Sequence, residues 1–479
     1  MNKKRILSVS LALALTAALA LPAMADNLVR KTIDVDAGIG VFVDGQQITP
    51  TNAGGAPVDV FASDGTTYLP VRAMSNALGA QVSYDAESFR VNVSTLPVDD
   101  KAAEYLKAYF NIEPLTGAVS VDAFNAALTA IFGEEAVKAD AATVAAAVKA
   151  AVINCGLAEL APVYADKAAA PAISGLAEEL LPYVAVAINT GIVSNTWNFT
   201  AVLDGDTATQ LLMNAVNVSG KGRNYLGKVS DPDIARKLQS AWTTFGNFDD
   251  AVLSQLGADL VIAEASTGYN LKFDGYNANF LPAYTIQYGH SDITHAIQLM
   301  GLLQSEGIDA KVALEPKTSI YEYMVDWGDP TKAEATPTYE LKPIEGTDRW
   351  LCYATEYDMM LEFDTVEDKN ALDSLIETYS KKYSANQNED GSFKTPLIAG
   401  AWWNPLYSSY VPMADADAFT LIKDNVIRNG AYTIHPFSMV DDTAAIAKVV
   451  AEKAPDLSVE LVDLYVNNAF YRYLNGEGE

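Results

Sequence analysis

Apolar and polar residues alternate strictly where the chain first becomes readable. Val41 and Val43 fall on one face of a strand and Phe42 on the other, and Asp44-Gly45 supplies the positive backbone angles of a tight hairpin. Over 70–79 the period changes: Val71, Met74 and Leu78 recur at three- and four-residue spacing, Pro70 suits a helix start and Gly79 a helix stop. Alternation returns in 81–93, where Val82 and Tyr84 face Phe89, Val91 and Val93 across a turn at 85–88. The pattern predicts a small antiparallel sheet wrapped on one helix.

Beyond a linker at 96–100 the texture becomes alanine-rich, with helical apolar spacing over 102–110, 121–132, 141–153 and 173–187. A helix should stop at Gly191, and Asp204-Gly205-Asp206-Thr207 should cap the next one. From about 258 onward elements mix. The spacing predicts strands at 260–262, 284–286, 308–314 (ended by Glu315-Pro316), 350–354, 359–363, 397–403 and 457–465. Helices are predicted at 290–306, 366–383, 416–429 and 443–452, with an exposed loop at 384–395. The expected fold class is multidomain α+β: the N-terminal sheet and helix, an all-α middle segment, and a C-terminal mixed α/β domain. The boundaries read as 30–96, 101–250 and 256–479.

The first of these segments resembles the copper amine oxidase N-terminal-like, or stalk, domain of secreted bacterial proteins. The matching strings are VDG at 43–45, TTYLPVR at 66–72, LGA at 78–80 and V-x-Y-D at 82–85, with Tyr84 standing where that family usually has Trp. The resemblance covers about an eighth of the chain and implies a module on the cell exterior. It does not imply oxidase chemistry. Copper amine oxidase catalysis needs three His ligands and an Asn-Tyr-acid string, whereas the chain has three His in all and Glu356-Tyr357-Asp358 as its nearest string.

Charge and leader point the same way. Residues 1–25 have a basic start (Lys3, Lys4, Arg5), an apolar run over 6–21 and Ala23-Met24-Ala25 as a small-residue cleavage site, so they read as a secretory signal peptide cut after Ala25. The formal net charge of −29 becomes more negative by three on its removal, which argues against nucleic acid and anionic lipid as partners. No later apolar run is long enough to span a bilayer. The implied location is extracellular and envelope-associated. Cys155 and Cys352 are the two cysteines; secretion permits a bridge, while their apolar contexts suit two separate buried thiols.

Residues 183–216 resemble one S-layer homology repeat, and 103–132 echo it. In that family the second helix opens with a Thr-Arg-Ala-Glu motif that contacts wall polymer; here the place is Thr207-Ala208-Thr209-Gln210, lacking both Arg and Glu. Residues 291–312 resemble the core helix and strand of transglutaminase-like cysteine peptidases, through Ala296, Leu299, Leu302, Leu303 and Gly307-Ile308. The family's catalytic Cys would fall at Asp292, and a carboxylate cannot replace a thiolate as acyl acceptor there. The only later His is His435.

Four other features invite a chemical reading. His290 and His295 are five apart, which does not give the one-face pair of an i,i+4 metal motif. Asn386-x-Asn388-x-Asp390-Gly391 opens like a calcium loop, but its twelfth position is Leu397. Trp402, Trp403, Tyr407 and Tyr410 form the densest aromatic cluster, suited to stacking on sugar rings or gripping a peptide, and equally to core packing. Carboxylates around Glu315 and Glu356 are candidates for hydrolytic chemistry. No catalytic residue, metal ligand or cofactor is assigned. The sequence therefore predicts a secreted, non-enzymatic envelope protein in which a stalk presents a binding domain for wall glycan, peptide or surface protein. The alternatives are a wall-acting hydrolase using C-terminal carboxylates and an architectural surface-layer component.

Overall fold

In the computed structural model the described residues are 32–43, 46–52, 55–85, 90–166, 175–380, 384–394 and 405–475. The leader, the hairpin turn at Asp44-Gly45 and the strand expected over 397–403 lie outside them. The chain divides into two compact units, Met1–Gly222 and Arg223–Glu479. The helical segment was expected to run to about 250, so residues 223–250 join the C-terminal unit instead.

In the first unit, strands β1 (Asp36–Ala37), β2 (Val41–Val43), β3 (Gln46–Ile48), β4 (Phe61–Ser63) and β5 (Thr66–Tyr68) precede helix α1 (Val71–Ala77) and strands β6 (Gln81–Asp85) and β7 (Arg90–Ser94). Among the described residues these strands do not join into one sheet. They make a three-stranded piece, β1-β4-β5, and two antiparallel pairs, β2-β3 and β6-β7. Helix α1 starts at Pro70 and ends before Gly79, whose φ of +71° needs a residue without Cβ. Arg72 Nη1 donates to the Val82 carbonyl at 3.1 Å and fixes the helix to β6.

The helices α2 (Ala102–Phe110), α3 (Val121–Phe132), α4 (Val144–Asn154), α6 (Leu181–Asn189) and α7 (Gly205–Val218) overlap the expected ones, with α6 beginning later than 173, and α5 (Ala161–Asp166) is one the spacing does not predict. Ser120, Thr143 and Asp204 cap α3, α4 and α7 by accepting an N–H three residues on, which is why those residues open the helices. The linker at 96–100 is held to this bundle. Asp99 N–H donates to Gln210 Oε1 at 3.1 Å, and Gln210 Nε2 returns a bond to the Asp99 carbonyl at 2.6 Å.

The second unit opens with β8 (Gly227–Lys228), α8 (Ile234–Trp242), α9 (Ala251–Ile262), β9 (Gly268–Phe273), β10 (Thr285–His290), α10 (Ile293–Glu306) and β11 (Ala310–Glu322). There follow β12 (Tyr339–Pro343), β13 (Trp350–Phe363), α11 (Val366–Tyr379), β14 (Leu406–Ser409), β15 (Phe419–Asn429), β16 (Tyr432–Pro436), α12 (Thr443–Lys453), β17 (Val459–Asn467) and α13 (Asn468–Leu474). Eight strands close on themselves in the order β13-β10-β14-β17-β15-β16-β9-β11 and back to β13, every pairing antiparallel. Strands β12 and β8 attach outside the ring. The unit is mixed α and β, as expected, but its centre is a closed barrel rather than an open sheet.

Three local expectations are corrected here. Residues 260–262 are the last turn of α9, not a strand; Leu260 and Val261 are apolar because the helix buries them against Tyr269 and Leu271. Residues 416–429 are not a helix but contain β15, whose nine-rung ladder with β17 runs from Phe419↔Asn467 to Ile427↔Val459. Glu315-Pro316 does not end β11. Even-numbered residues of β11 turn their backbone groups toward β8 and β9, and Pro316 falls in the gap between those partners, where a missing N–H breaks no ladder bond.

The main core lies outside the barrel wall. Ile293, Ala296, Leu299, Met300 and Leu303 recur along one face of α10 and pack on Ile286, Tyr288, Val312, Leu314, Met359 and Leu361, with α8 and α11 completing the layer. Burying each of the larger side chains contributes about 1.5–3 kcal/mol. A second layer sets α9 and α12 against Tyr269, Leu271, Ile320, Ile427 and Ile434. The barrel's outer wall is thus its apolar one.

Candidate functional site

Successive side chains on a strand point to opposite faces, so the residues between these outward ones face the inside. Along β11 they are Lys311, Ala313, Glu315, Lys317, Ser319 and Tyr321; across the ladder they meet Glu362, Met360, Asp358, Glu356, Ala354 and Cys352 of β13. The same register carries the inner wall through Gln287 and Gly289 of β10, Ser408 of β14, Asn270 and Lys272 of β9, and Asp424 and His435. Most of this wall is polar, the reverse of a barrel filled by a hydrocarbon core.

Two apolar patches narrow the interior. The connection between β9 and β10 folds inward, and Ala278 and Phe280 pack on Ala313 and Met360. Its backbone is held by inner carboxylates: Glu315 Oε1 accepts the Ala278 N–H at 2.7 Å, and Glu362 Oε2 accepts the Leu281 N–H at 2.7 Å. Glu362 also pairs with Arg223 at 3.0 Å and Lys311 at 2.8 Å. On the opposite side Phe470, Tyr471 and Leu474 of α13 pack on Ile422, Leu464 and Val466.

Between these patches lies a band of charge. Asp358 is 1% exposed and binds two lysines, Lys317 at 2.8 Å and Lys272. Burial opposes its charge, but the two ammonium groups outweigh burial and hold the carboxyl far below its usual range. Glu315 behaves oppositely: burial is the largest influence and raises it, with Lys272 pulling against. Gly289 sits beside the pair for a steric reason, since a Cβ there would stand 3.1 Å from Asp358 Oδ1 and 3.4 Å from Lys317 Nζ. Farther along, Ser319 Oγ donates to Glu356 at 2.5 Å and meets Asn270 at 2.7 Å, and His435 Nδ1 lies 2.7 Å from Asp424. Tyr410 is 40% exposed, and desolvation of its hydroxyl pushes the phenol up to about 12, with Lys272 pulling against and the carboxylates of Glu315, Asp424 and Asp358 adding to the rise.

Of the aromatic cluster singled out from the sequence, Trp402 and Trp403 lie outside the described residues. Tyr407 is not presented to a ligand: it faces outward, fully buried, with its hydroxyl on Asp373 and its ring edge-on to Phe419. Tyr410, three residues on, faces the charged band. The other candidates separate. Asp292 caps α10 through the Thr294 N–H at 2.8 Å, and the Tyr357 hydroxyl donates to its carbonyl at 2.9 Å. The rings of His290 and His295 meet at 4.3 Å between centroids, and burial with His295 lowers His290 to about 4. No third metal ligand joins them, and no group of three such side chains occurs among the described residues. At 386–392 the side chains serve the turn itself: Asn386 donates to the Glu377 and Ser380 carbonyls, and Asp390 accepts from Ser392. Cys155 and Cys352 are both free. The inner lysines and Asp358 were not singled out from the sequence, although the alternation over 311–320 carried the signal.

No family model matches the chain, and no curated protein or solved structure matches it.

Proposed function

We propose that the protein is a secreted, envelope-associated binding protein without catalytic activity, in which a stalk-like domain and a helical segment accompany a C-terminal barrel that binds wall material. The observation that carries this reading is the inversion of the barrel: most of its apolar side chains pack against the outer helices, leaving an inner wall that is largely polar between two apolar patches. In concave ligand sites a few convergent polar and charged groups fix the ligand's orientation, and the inner wall supplies such groups. The leader, the acidic charge and the stalk-like motif supply the location.

The helical segment contributes spacing rather than grip. At the place of the wall-contacting motif, Thr207 hydrogen-bonds the capping Asp204 and Gln210 is committed to Asp99. Among the described residues no helix is long and apolar enough to cross a membrane alone.

One observation favours a hydrolase as the second reading. Glu315 and Asp358 stand directly opposite on neighbouring strands, one carboxyl raised and the other lowered, the divergence expected of an acid and a base. The two lysines on Asp358 oppose it, because they occupy the oxygens a base would use.

Sacculi from a Gram-positive bacterium, incubated with the purified mature chain and pelleted, test both. Binding predicts protein in the pellet and no soluble fragments in the supernatant by mass spectrometry. Protein left in the supernatant overturns wall binding, and released fragments that disappear in Glu315→Gln replace it with hydrolysis.

A further inference from the structure

We propose that the polar band on the barrel's inner wall, from Gln287 and Ser408 past Tyr410 to Asn270 and His435, holds a saccharide unit. This deepens the binding reading above and rests on it for the source of the sugar. The starting observation is a pair of orphaned groups. Gln287 Oε1 and Ser408 Oγ are buried and have no hydrogen-bond partner among the described residues. Ser408 is 1% exposed, and the two residues face each other on one rung of the β10-β14 ladder, on the inner side. Leaving such groups unmet costs about 1–3 kcal/mol each, so a further hydrogen-bonding partner is favoured there.

The chemistry of that partner follows from what the band offers. Lys272 and Lys317 each carry three N–H donors, and Asp358 engages each of them. Glu356, Asp424 and Gln287 present acceptor oxygens, and Ser408 and the Tyr410 hydroxyl can do either. An anion would meet the donors and be repelled by the carboxylates; a cation would do the reverse. A ring bearing several hydroxyls, each both donor and acceptor, satisfies both sets at once. Tyr410, 40% exposed, brings an aromatic ring to this band, and a pyranose stacks on such a flat apolar face.

Calorimetry on the mature full-length chain tests this with the N-acetylglucosamine–N-acetylmuramic acid disaccharide and cellobiose as probes, and with glutamate and spermidine as anion and cation controls. The expected result is binding of a saccharide probe with Kd of about 1 mM or tighter, and weakening by about tenfold or more in Tyr410→Ala. Gln287→Leu provides a second variant, and circular dichroism shows which variants are folded. Binding unchanged in folded variants overturns the proposal, as does preferential binding of glutamate or spermidine. Failure of both saccharides while the protein still pellets with sacculi overturns this site and leaves wall binding standing. Saccharide binding without pelleting keeps the site and removes the wall association.

Discussion

Lys369 lets the energetics of the C-terminal unit be tested without any assumption about a ligand. It lies on α11, is 1% exposed, and its Nζ donates to the Ala283 carbonyl at 3.1 Å. No carboxylate pairs with it among the described residues, and burial alone lowers its pKa from 10.5 to about 8. Below pH 8 the ammonium is therefore charged in both folded and unfolded chains, and the folded state bears the desolvation cost. A depression of that size corresponds to about 3 kcal/mol. Lys369→Met keeps most of the volume and the flexible stem, removes this cost and loses one hydrogen bond worth about 1 kcal/mol. Ala283 is a half-buried residue, so its carbonyl can turn to water. The net expectation at pH 7 is a stabilisation of about 2 kcal/mol, or a rise of roughly 5 °C in the transition of a unit this size. The pH dependence has a definite sign. Between about 8 and 10.5 the unfolded chain holds a proton that the folded chain has released, so wild-type stability rises with pH across that window. The advantage of Lys369→Met should shrink over the same window. Calorimetric melting of both proteins at pH 7 and near pH 10 reads the effect. A variant less stable than wild type at pH 7, or a difference that does not change with pH, would refute the reasoning and mean that the ammonium has an ionic partner.

Other perturbations probe other parts of the structure. Asp358→Asn leaves Lys272 and Lys317 buried together, so a loss of about 3–5 kcal/mol in urea unfolding is expected, and a change under about 1 kcal/mol would dissolve the charged band as described. Gly257→Ala should destabilise despite alanine's better helix propensity, because the new Cβ would lie 2.2 Å from the ring of buried Tyr269; a cost of about 1–3 kcal/mol is expected, and a gain would show that the ring moves freely. Thiol titration of the purified, denatured but unreduced chain should count both cysteines. In the native state Cys155, raised by burial to about 11, should resist alkylation at pH 8, and finding no free thiol after denaturation would establish a bridge.

The sequence was legible where one local rule decided the structure. Helices α3, α4 and α7 announce themselves because their apolar residues recur at helical spacing and, for α7, because Asp204 is a visible cap. The hairpin pairs β2-β3 and β6-β7 follow from alternation bounded by turn residues. The barrel hid itself by breaking the link between alternation and the water-facing side. Along β11, Val312, Leu314 and Ile320 point outward to helices, while Lys317 and Ser319 point inward, so a pattern that reads as a half-solvated strand belongs to one buried on both faces. In β15 the same inversion produced the wrong element. Phe419, Ile422 and Val426 are spaced like a helical stripe, yet Ile422 packs inside under α13, and Asp424 breaks the inner apolar run because it must meet His435. Of the candidate site, Glu315, Glu356 and Tyr410 were legible, but the buried charges at its centre were not, for a related reason. Lys272, Lys317 and Asp358 come from three strands separated by up to 86 positions, and nothing local marks them as partners; only the β9-β11-β13 register makes them neighbours. Closure of the barrel thus turns scattered polar residues into one inner surface that only the topology reveals, whereas the proposed location rests on the leader and the stalk-like motif.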